Sequence, residues 1–179
     1  MLVLALVALP LAGCDSSDDD DGGDGPGSIP GDATGNFVAW SVGGDRFEAR
    51  GDNTSPTTGF ASATYVQGVG GVPTFNITAT ALNGTNPQTI TFTVRGIDAA
   101  GDYTFNIVTD GALAGFVRTS VSGTTPTTTS YVATEDISIT VDELTDTGAR
   151  GSFSFNVVNQ DDDTDRVTIS NGRFSVVFN

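Results

Sequence analysis

One cysteine and a scatter of carboxylates carry most of the reactive chemistry that the sequence offers. Cys14 is the only cysteine, and the chain contains no histidine. A Ser-His-Asp or Cys-His catalytic arrangement is therefore excluded, because each uses an imidazole as its base. Zinc would lack its usual nitrogen and sulfur ligands, and we expect no metal and no cofactor. What remains is the nucleophilic thiol of Cys14 and a carboxylate pair of the kind that hydrolyses glycosidic bonds.

The carboxylates of the folded part of the chain fall mostly in turns. The few that lie near predicted strands are Glu48, Glu135, Asp136, Asp142 and Glu143. Charged side chains are almost always solvated, so we expect no catalytic residue and no enzymatic activity. Neither aspartate run fits an EF-hand calcium loop, which needs glycine at its sixth position and glutamate at its twelfth: counted from Asp19 these positions hold Asp24 and Pro30, and the run at 161–165 has no glycine at its sixth position. No glycine-rich loop leads into a helix, which leaves no cradle for a phosphate group.

The residues around Cys14 predict what its thiol does. The apolar run from Leu2 to Leu11 is too short to span a bilayer core, which needs about 20 helical residues, but it suits a secretory signal. Leu11, Ala12, Gly13 and Cys14 together resemble the lipobox of bacterial lipoproteins, in which a peptidase cleaves before the cysteine. The resemblance implies that the thiol is alkylated with diacylglycerol and that the new amino terminus is acylated.

Two other interpretations of Cys14 stay open, namely an ordinary signal peptide and a buried cysteine. We prefer the lipidated cysteine, because a lone thiol in an exported protein needs an explanation. No basic residue precedes Leu2, although secretory signals normally carry some. We therefore expect an in-frame start codon further upstream that adds lysine or arginine.

Strong negative charge marks the segment after Cys14 and the chain as a whole. The formal net charge is −15, from 22 acidic and 7 basic residues, and such a surface repels nucleic acid. Aspartates alternate with serine and glycine up to about Gly35, so this segment cannot bury a core and is predicted to be a disordered tether. Acidic residues directly after the cysteine resemble lipoprotein sorting signals, and we expect the outer membrane rather than the inner one. The predicted division is a signal peptide at 1–13, a lipidated tether at 14–35 and a folded domain at 36–179.

Alternation with a period of two predicts an all-β fold for the folded domain. Phe75, Ile77 and Ala79, for example, alternate with polar residues, which gives each strand one buried and one wet face. We count roughly ten such antiparallel strands and expect the phenylalanines to form the core. An antiparallel β-sandwich is the preferred architecture, and a lipocalin-like barrel is the alternative.

Turn signals separate these strands. Gly43-Gly44 predicts a tight hairpin between the first two, and Asp146-Thr147-Gly148 predicts a turn before Arg150. Asn171-Gly172 predicts a turn that divides the final strand pair. The threonine-rich stretch 124–130, which contains Pro126, is predicted to be an exposed loop.

Three segments resemble a family of small bacterial envelope lipoproteins that carry one uncharacterised all-β domain. They are NFVAWSVGGDRFEA, GDYTFNI, and the ending GSFSFNVVNQ with VTISNGRFSVVF. In that family a glycine-led GxFxF strand precedes a strand pair with asparagine-glycine. The resemblance covers about Phe37 to Phe178 and implies neither an activity nor functional residues.

Trp40 and Tyr65 are the candidate ligand contacts. Trp40 shares a strand face with Val38 and Val42, where it is either a packing or interface residue or an aromatic platform for a sugar. Tyr65 adjoins a glycine-rich loop that would form a mobile rim. The sequence thus predicts a membrane-anchored, non-enzymatic structural or interaction module whose partner is an unknown envelope protein or glycan. A glycan- or small-ligand-binding lipoprotein is the alternative, which a deep apolar pocket would favour.

Overall fold

The computed structural model describes residues 35–51, 59–82, 84 and 86–178, and these residues form an all-β domain. The predictions for residues 1–34, which include Leu11, Ala12, Gly13 and Cys14, lie outside the described residues. Eleven antiparallel strands and one short 3-10 turn at Val69–Gly71 make up the domain. The strands are β1 (Phe37–Val42), β2 (Asp45–Arg50), β3 (Gly59–Gln67), β4 (Pro73–Ala81), β5 (Gln88–Arg95), β6 (Gly101–Phe105), β7 (Leu113–Ser122), β8 (Thr125–Ala133), β9 (Ile137–Thr145), β10 (Gly148–Asn159) and β11 (Arg166–Val177).

The strands belong to one continuous sheet that forks at β10. The main path runs β2-β1-β11-β10-β8-β7-β5-β4-β3. One edge of β10 pairs with β11, whereas the other edge pairs with β9 over residues 148–154 and with β8 over residues 157–159. Strand β9 also pairs with β6. Because two strands share one edge of β10, two branches leave it, and the sheet folds over itself like a sandwich.

The two ends of this path approach each other without joining. Strand β3 contacts β2, and Ala63 forms a single parallel bridge with Phe178. No ladder joins β2 to β3 among the described residues. The sheet is therefore open, unlike the closed barrel of a lipocalin.

Phenylalanine fills the interior, as the sequence predicts. Nine of the eleven phenylalanines are buried. The ring of Phe92 lies near the centre, with its centroid 5.1 Å from that of Phe153 and 6.1 Å from that of Phe75. Burying one such side chain contributes roughly 1.5–3 kcal/mol to folding, so these rings account for much of the stability of the fold.

The predicted β1–β2 hairpin is confirmed, and so is the turn after β9, although it comprises Asp146 and Thr147 only and Gly148 already begins β10. The hairpin turn consists of Gly43 and Gly44, whose φ angles are 60° and 94°. Both angles lie in the left-handed region that glycine occupies without strain, and a two-residue hairpin turn of this type requires it.

The prediction of a loop at 124–130 is wrong, because this stretch forms most of β8. Residues 125–130 pair with β7 on one side only, since β10 meets β8 no earlier than Tyr131. An edge position tolerates Pro126, which has no N–H to donate to a second neighbour. Residues 125–128 are exposed, so the strand lacks the apolar alternation that would reveal it.

The prediction of a turn at Asn171-Gly172 is also wrong, because both residues lie inside β11. The register of β11 shifts at this point against both β1 and β10, and β11 carries one extra residue in each pairing. This is a β-bulge. Asn171 has a φ of 50°, the single non-glycine residue with a positive φ in the described part of the chain.

Candidate functional site

Trp40 lies in the core. Its side chain is fully buried on the inner face of β1 together with Val38, and its ring stacks on Phe47 with 6.0 Å between centroids. The indole Nε1 has no hydrogen-bond partner in the described structure. The ring therefore has no exposed face on which a sugar could stack. Of the roles that the sequence left open for Trp40, packing is the one that agrees with its position.

Tyr65 lies half-buried near one end of β3. Its hydroxyl donates to the carbonyl oxygen of Ile97 at 3.0 Å, and its ring stacks on Phe178 with 5.1 Å between centroids. Burial, followed by the charge of Asp98, raises the pKa of Tyr65 above its ordinary value. Beside it the glycine-rich loop borders a cleft of about 250 Å³ lined by Gly68, Val72, Thr74 and Arg95. The polar tip of Tyr65 is thus already bound to the chain's own backbone.

Arginines concentrate on the outward face of β2, β1, β11 and β10. Strand register places five of the seven there, in a protein of net charge −15. They are Arg46, Arg50, Arg150, Arg166 and Arg173. Cations therefore gather on one face of a protein that is otherwise strongly acidic.

Four of these arginines have a carboxylate within 4.0 Å, and Arg46 is at that limit, with Nη2 4.0 Å from Oε2 of Glu48. Arg50 binds Glu48, with Nη2 2.6 Å from Oε1, and its guanidinium covers the ring of Phe37. The Nε of Arg150 lies 2.9 Å from Oε2 of Glu143. Arg166 makes a looser pair with Glu135, with Nη1 3.9 Å from Oε1. Exposed ion pairs contribute at most about 1 kcal/mol each. These pairs therefore neutralise charge on this face but add little to the stability of the fold.

Arg173 lies in a polar cleft of about 240 Å³ on this face, referred to below as the Arg173 cleft. The cleft spans β9, β10 and β11. Ser152 on β10 is directly opposite Arg173 in register, and Thr140 on β9 is directly opposite Ser152. Its other polar walls are Ser138, Ser154 and Asn171.

Among the residues that the structure describes, the guanidinium of Arg173 has no carboxylate partner. Its Nε is buried without a hydrogen-bond partner, and no carboxylate of the described residues pairs with it. Leaving such a donor unsatisfied costs roughly 1–3 kcal/mol. Asn171, with its left-handed backbone, lines the same cleft, and strained residues of this kind cluster at functional sites. The unsatisfied donor of Arg173 and the left-handed Asn171 thus both belong to the Arg173 cleft, which makes it the candidate functional site.

A second cleft on the same face gives an internal comparison. It measures about 230 Å³ and is lined in part by Glu143, Thr145, Arg150 and Ser175. Here the arginine is already neutralised by Glu143. Two neighbouring clefts thus differ in whether their arginine is available to an outside anion.

The buried Tyr131 is part of a hydrogen-bond network that joins several strands. The hydroxyl of Tyr131 accepts from Nη2 of Arg118 at 2.8 Å and donates to Oδ2 of Asp165 at 2.9 Å. Asn159 donates to the same oxygen of Asp165 at 3.1 Å. Burial, followed by the hydrogen bond to Asp165, raises the pKa of Tyr131 above its ordinary value. The network ties β7 and β8 to the turn that joins β10 to β11.

The carboxylates that the sequence singled out are dispersed. Glu48, Glu135 and Glu143 each contact an arginine, and Asp136 accepts a hydrogen bond from Asn106 at 2.9 Å. The three clefts described above contain one acidic side chain between them, that of Glu143. None of these clefts therefore brings two carboxylates face to face.

Over residues 35–178, apart from the gaps given above, no group of three or more metal-ligating side chains is close enough to hold an ion. Within the same residues, no helix has the length and hydropathy needed to cross a lipid bilayer. Comparison of the chain with protein-family models, with curated proteins and with solved structures finds no match.

Sequence reasoning did not find the Arg173 cleft. Its polar side chains come from three strands, and their residue numbers extend from 138 to 173. Each serine or threonine looks like an ordinary wet-face residue of its own strand. The one local signal was Asn171-Gly172, which is equally typical of a hairpin turn and of a bulge.

Proposed function

We propose that this protein is a lipid-anchored lipoprotein of the bacterial cell envelope and acts as a non-enzymatic structural or interaction module. The observation that carries the proposal is the run Leu11-Ala12-Gly13-Cys14 directly after an apolar segment, in a chain with no other cysteine. Two or three acyl chains hold a protein firmly at a membrane, whereas one binds only marginally. The acidic segment 14–35 then links the anchored Cys14 to the β domain, and the outer membrane is the proposed location.

The form of the β domain supports an interaction module. Aromatic and aliphatic side chains fill its interior, and the three clefts described above are small and lie at the surface. A protein that encloses an apolar ligand would instead present a larger apolar pocket with a few polar groups. The arginine-bearing outward face is the most distinctive surface for a partner.

A second candidate function is binding of a glycan or another small polar ligand by the same anchored protein. The Arg173 cleft favours it, because hydroxyl and amide side chains from three strands converge there beside a guanidinium that no carboxylate of the described residues pairs with. Trp40 contributes nothing to this candidate, since its ring is buried.

Replacing Cys14 with serine tests the anchor. We expect the variant to leave the membrane fraction, because serine has no thiol to carry diacylglycerol. The matched control is Ser16→Ala, which changes a neighbouring side chain and leaves Cys14 intact. Mass spectrometry of the mature wild-type protein should find Cys14 as its first residue, with the added mass of the acyl chains. A Cys14→Ser variant that still sediments with membranes would contradict the proposal, as would a mature chain that begins elsewhere.

A further inference from the structure

We infer that the Arg173 cleft binds a carboxylate-bearing sugar, that is, a uronic acid residue of an acidic glycan. The inference rests on the second candidate function above and names its ligand class. It does not depend on the lipid anchor, because the cleft lies wholly within the β domain.

The guanidinium of Arg173 selects for a carboxylate. Arginine presents a planar fork of N–H donors that matches the two oxygens of a carboxylate, and the resulting pair of charge-assisted hydrogen bonds is strong. Arg173 lines the cleft and is itself partly exposed. No acidic side chain lines the Arg173 cleft. An external carboxylate would therefore pair with a guanidinium that no carboxylate of the described residues neutralises.

The rest of the cleft suits a polyhydroxylated ligand. Ser138, Ser152 and Ser154 supply hydroxyls that both donate and accept, and the amide of Asn171 does the same. Neighbouring strands lie about 4.8 Å apart, so these groups are spaced over the width of a sugar ring. The volume of about 240 Å³ is below the range of about 300–1,000 Å³ that holds drug-sized ligands. A single sugar residue is the appropriate size.

The charges around the cleft also fix the orientation of the sugar. Thr140, at the β9 side of the cleft, donates its hydroxyl hydrogen to Oδ1 of Asp102 at 2.7 Å. The negative charge of Asp102 repels a carboxylate at that side. The carboxylate therefore lies against Arg173, and the sugar hydroxyls point toward Thr140.

The test is a titration of the purified full chain with tri-galacturonate and with the matched neutral sugar tri-galactose, followed by calorimetry. A salt concentration of 0.15 M reduces the Debye length to about 8 Å, which screens the repulsion between the ligand and the protein's net negative charge. We expect tri-galacturonate to bind, and tri-galactose to bind roughly ten- to a hundredfold more weakly, because it lacks the charge-assisted hydrogen bonds.

Two arginine variants form a matched pair. Arg173→Gln should weaken tri-galacturonate binding by the same factor of roughly ten to a hundred. Arg150→Gln should leave binding unchanged, because Arg150 is already paired with Glu143 in the adjacent cleft. Ser152→Val is a second probe, since it removes a hydroxyl opposite Arg173 and keeps the charge. It should also weaken binding, and it decides the matter if Arg173→Gln does not fold.

Several outcomes would overturn the inference. They are no binding of tri-galacturonate, equal binding by the wild type and Arg173→Gln, and equal affinity for the charged and neutral sugars. Binding of inorganic sulfate through Arg173 without any binding of the sugar acid would also overturn it, because it would indicate an oxyanion site. Membrane fractionation of Arg173→Gln separates this inference from the anchor proposal: the variant should remain membrane-bound whatever its sugar affinity.

Discussion

Replacing Gly172 with alanine should destabilise the β domain, and the size of the loss follows from the packing of β11 on β10. A Cβ atom at Gly172 would lie 2.5 Å from Cδ2 and 2.6 Å from Cε2 of the Phe153 ring, and would also collide with the carbonyl oxygen of Phe153. The φ angle of Gly172 is not in the left-handed region. The cost is therefore steric and does not come from backbone conformation.

Two opposing effects set the magnitude. Alanine restricts the unfolded chain more than glycine does, which favours folding by roughly 0.4–1 kcal/mol. Overpacking a close-packed core costs roughly 1–3 kcal/mol, and the Phe153 ring cannot move freely because it packs against Phe92 and Phe155. The collision with a backbone oxygen places the cost near the upper end of that range. We expect a net loss of about 1–2 kcal/mol.

Urea denaturation followed by circular dichroism measures this loss as a lower midpoint with an unchanged slope. The double variant Gly172→Ala with Phe153→Leu should be more stable than the sum of its single variants predicts, by at least about 0.5 kcal/mol, because leucine removes the aromatic edge that the new Cβ meets. Additive effects, or a Gly172→Ala variant as stable as the wild type, would refute the packing of Gly172 under Phe153. A glycine in an exposed hairpin turn would show no such coupling to Phe153.

Two further predictions concern hydrogen-bonded groups. Tyr131→Phe removes a buried hydroxyl that binds both Arg118 and Asp165 and should cost about 1 kcal/mol, seen as a lower urea midpoint and as faster amide exchange in the turn at 160–165. Because the pKa of Tyr131 is raised in the folded state, the contribution of its hydroxyl to stability is present below about pH 10 and is lost as the pH rises through the folded pKa. The wild type should therefore lose stability in that pH range, and Tyr131→Phe should lose less. Equal losses in the two proteins would contradict this assignment. Thr164→Ala should raise the pKa of Asp162 toward its ordinary value, because the side chain of Thr164 is the main cause that lowers it; an NMR titration of Asp162 that matches the wild type would contradict this.

The all-β fold could be predicted because its main signal is local. Alternation such as that of Ile90, Phe92 and Val94 marks the inner face of a strand wherever the strand lies in the sheet, and all three residues are buried. The same rule placed Trp40 on the face shared with Val38. It could not decide whether that face meets solvent or the core, because the two faces of β1 are both largely apolar.

The errors lie where the deciding information comes from distant strands. Residues 125–128 of β8 have no buried face, so pairing with β7 is what makes them a strand. The asparagine-glycine pair at 171–172 suits a turn in isolation. It becomes a bulge because β1 and β10 flank β11 and continue past it. The Arg173 cleft could not be predicted for the same reason. The residues that line it come together only through the register between neighbouring strands.

The position of β11 between β1 and β10 governs when the domain can form during synthesis. The β1–β2 hairpin is made first, yet the strand that connects it to the rest of the sheet is the final one in the strand order. Loop closure over so long a separation is slow and must precede the stabilising contacts. A nascent chain that lacks β11 therefore has no route to the finished sheet.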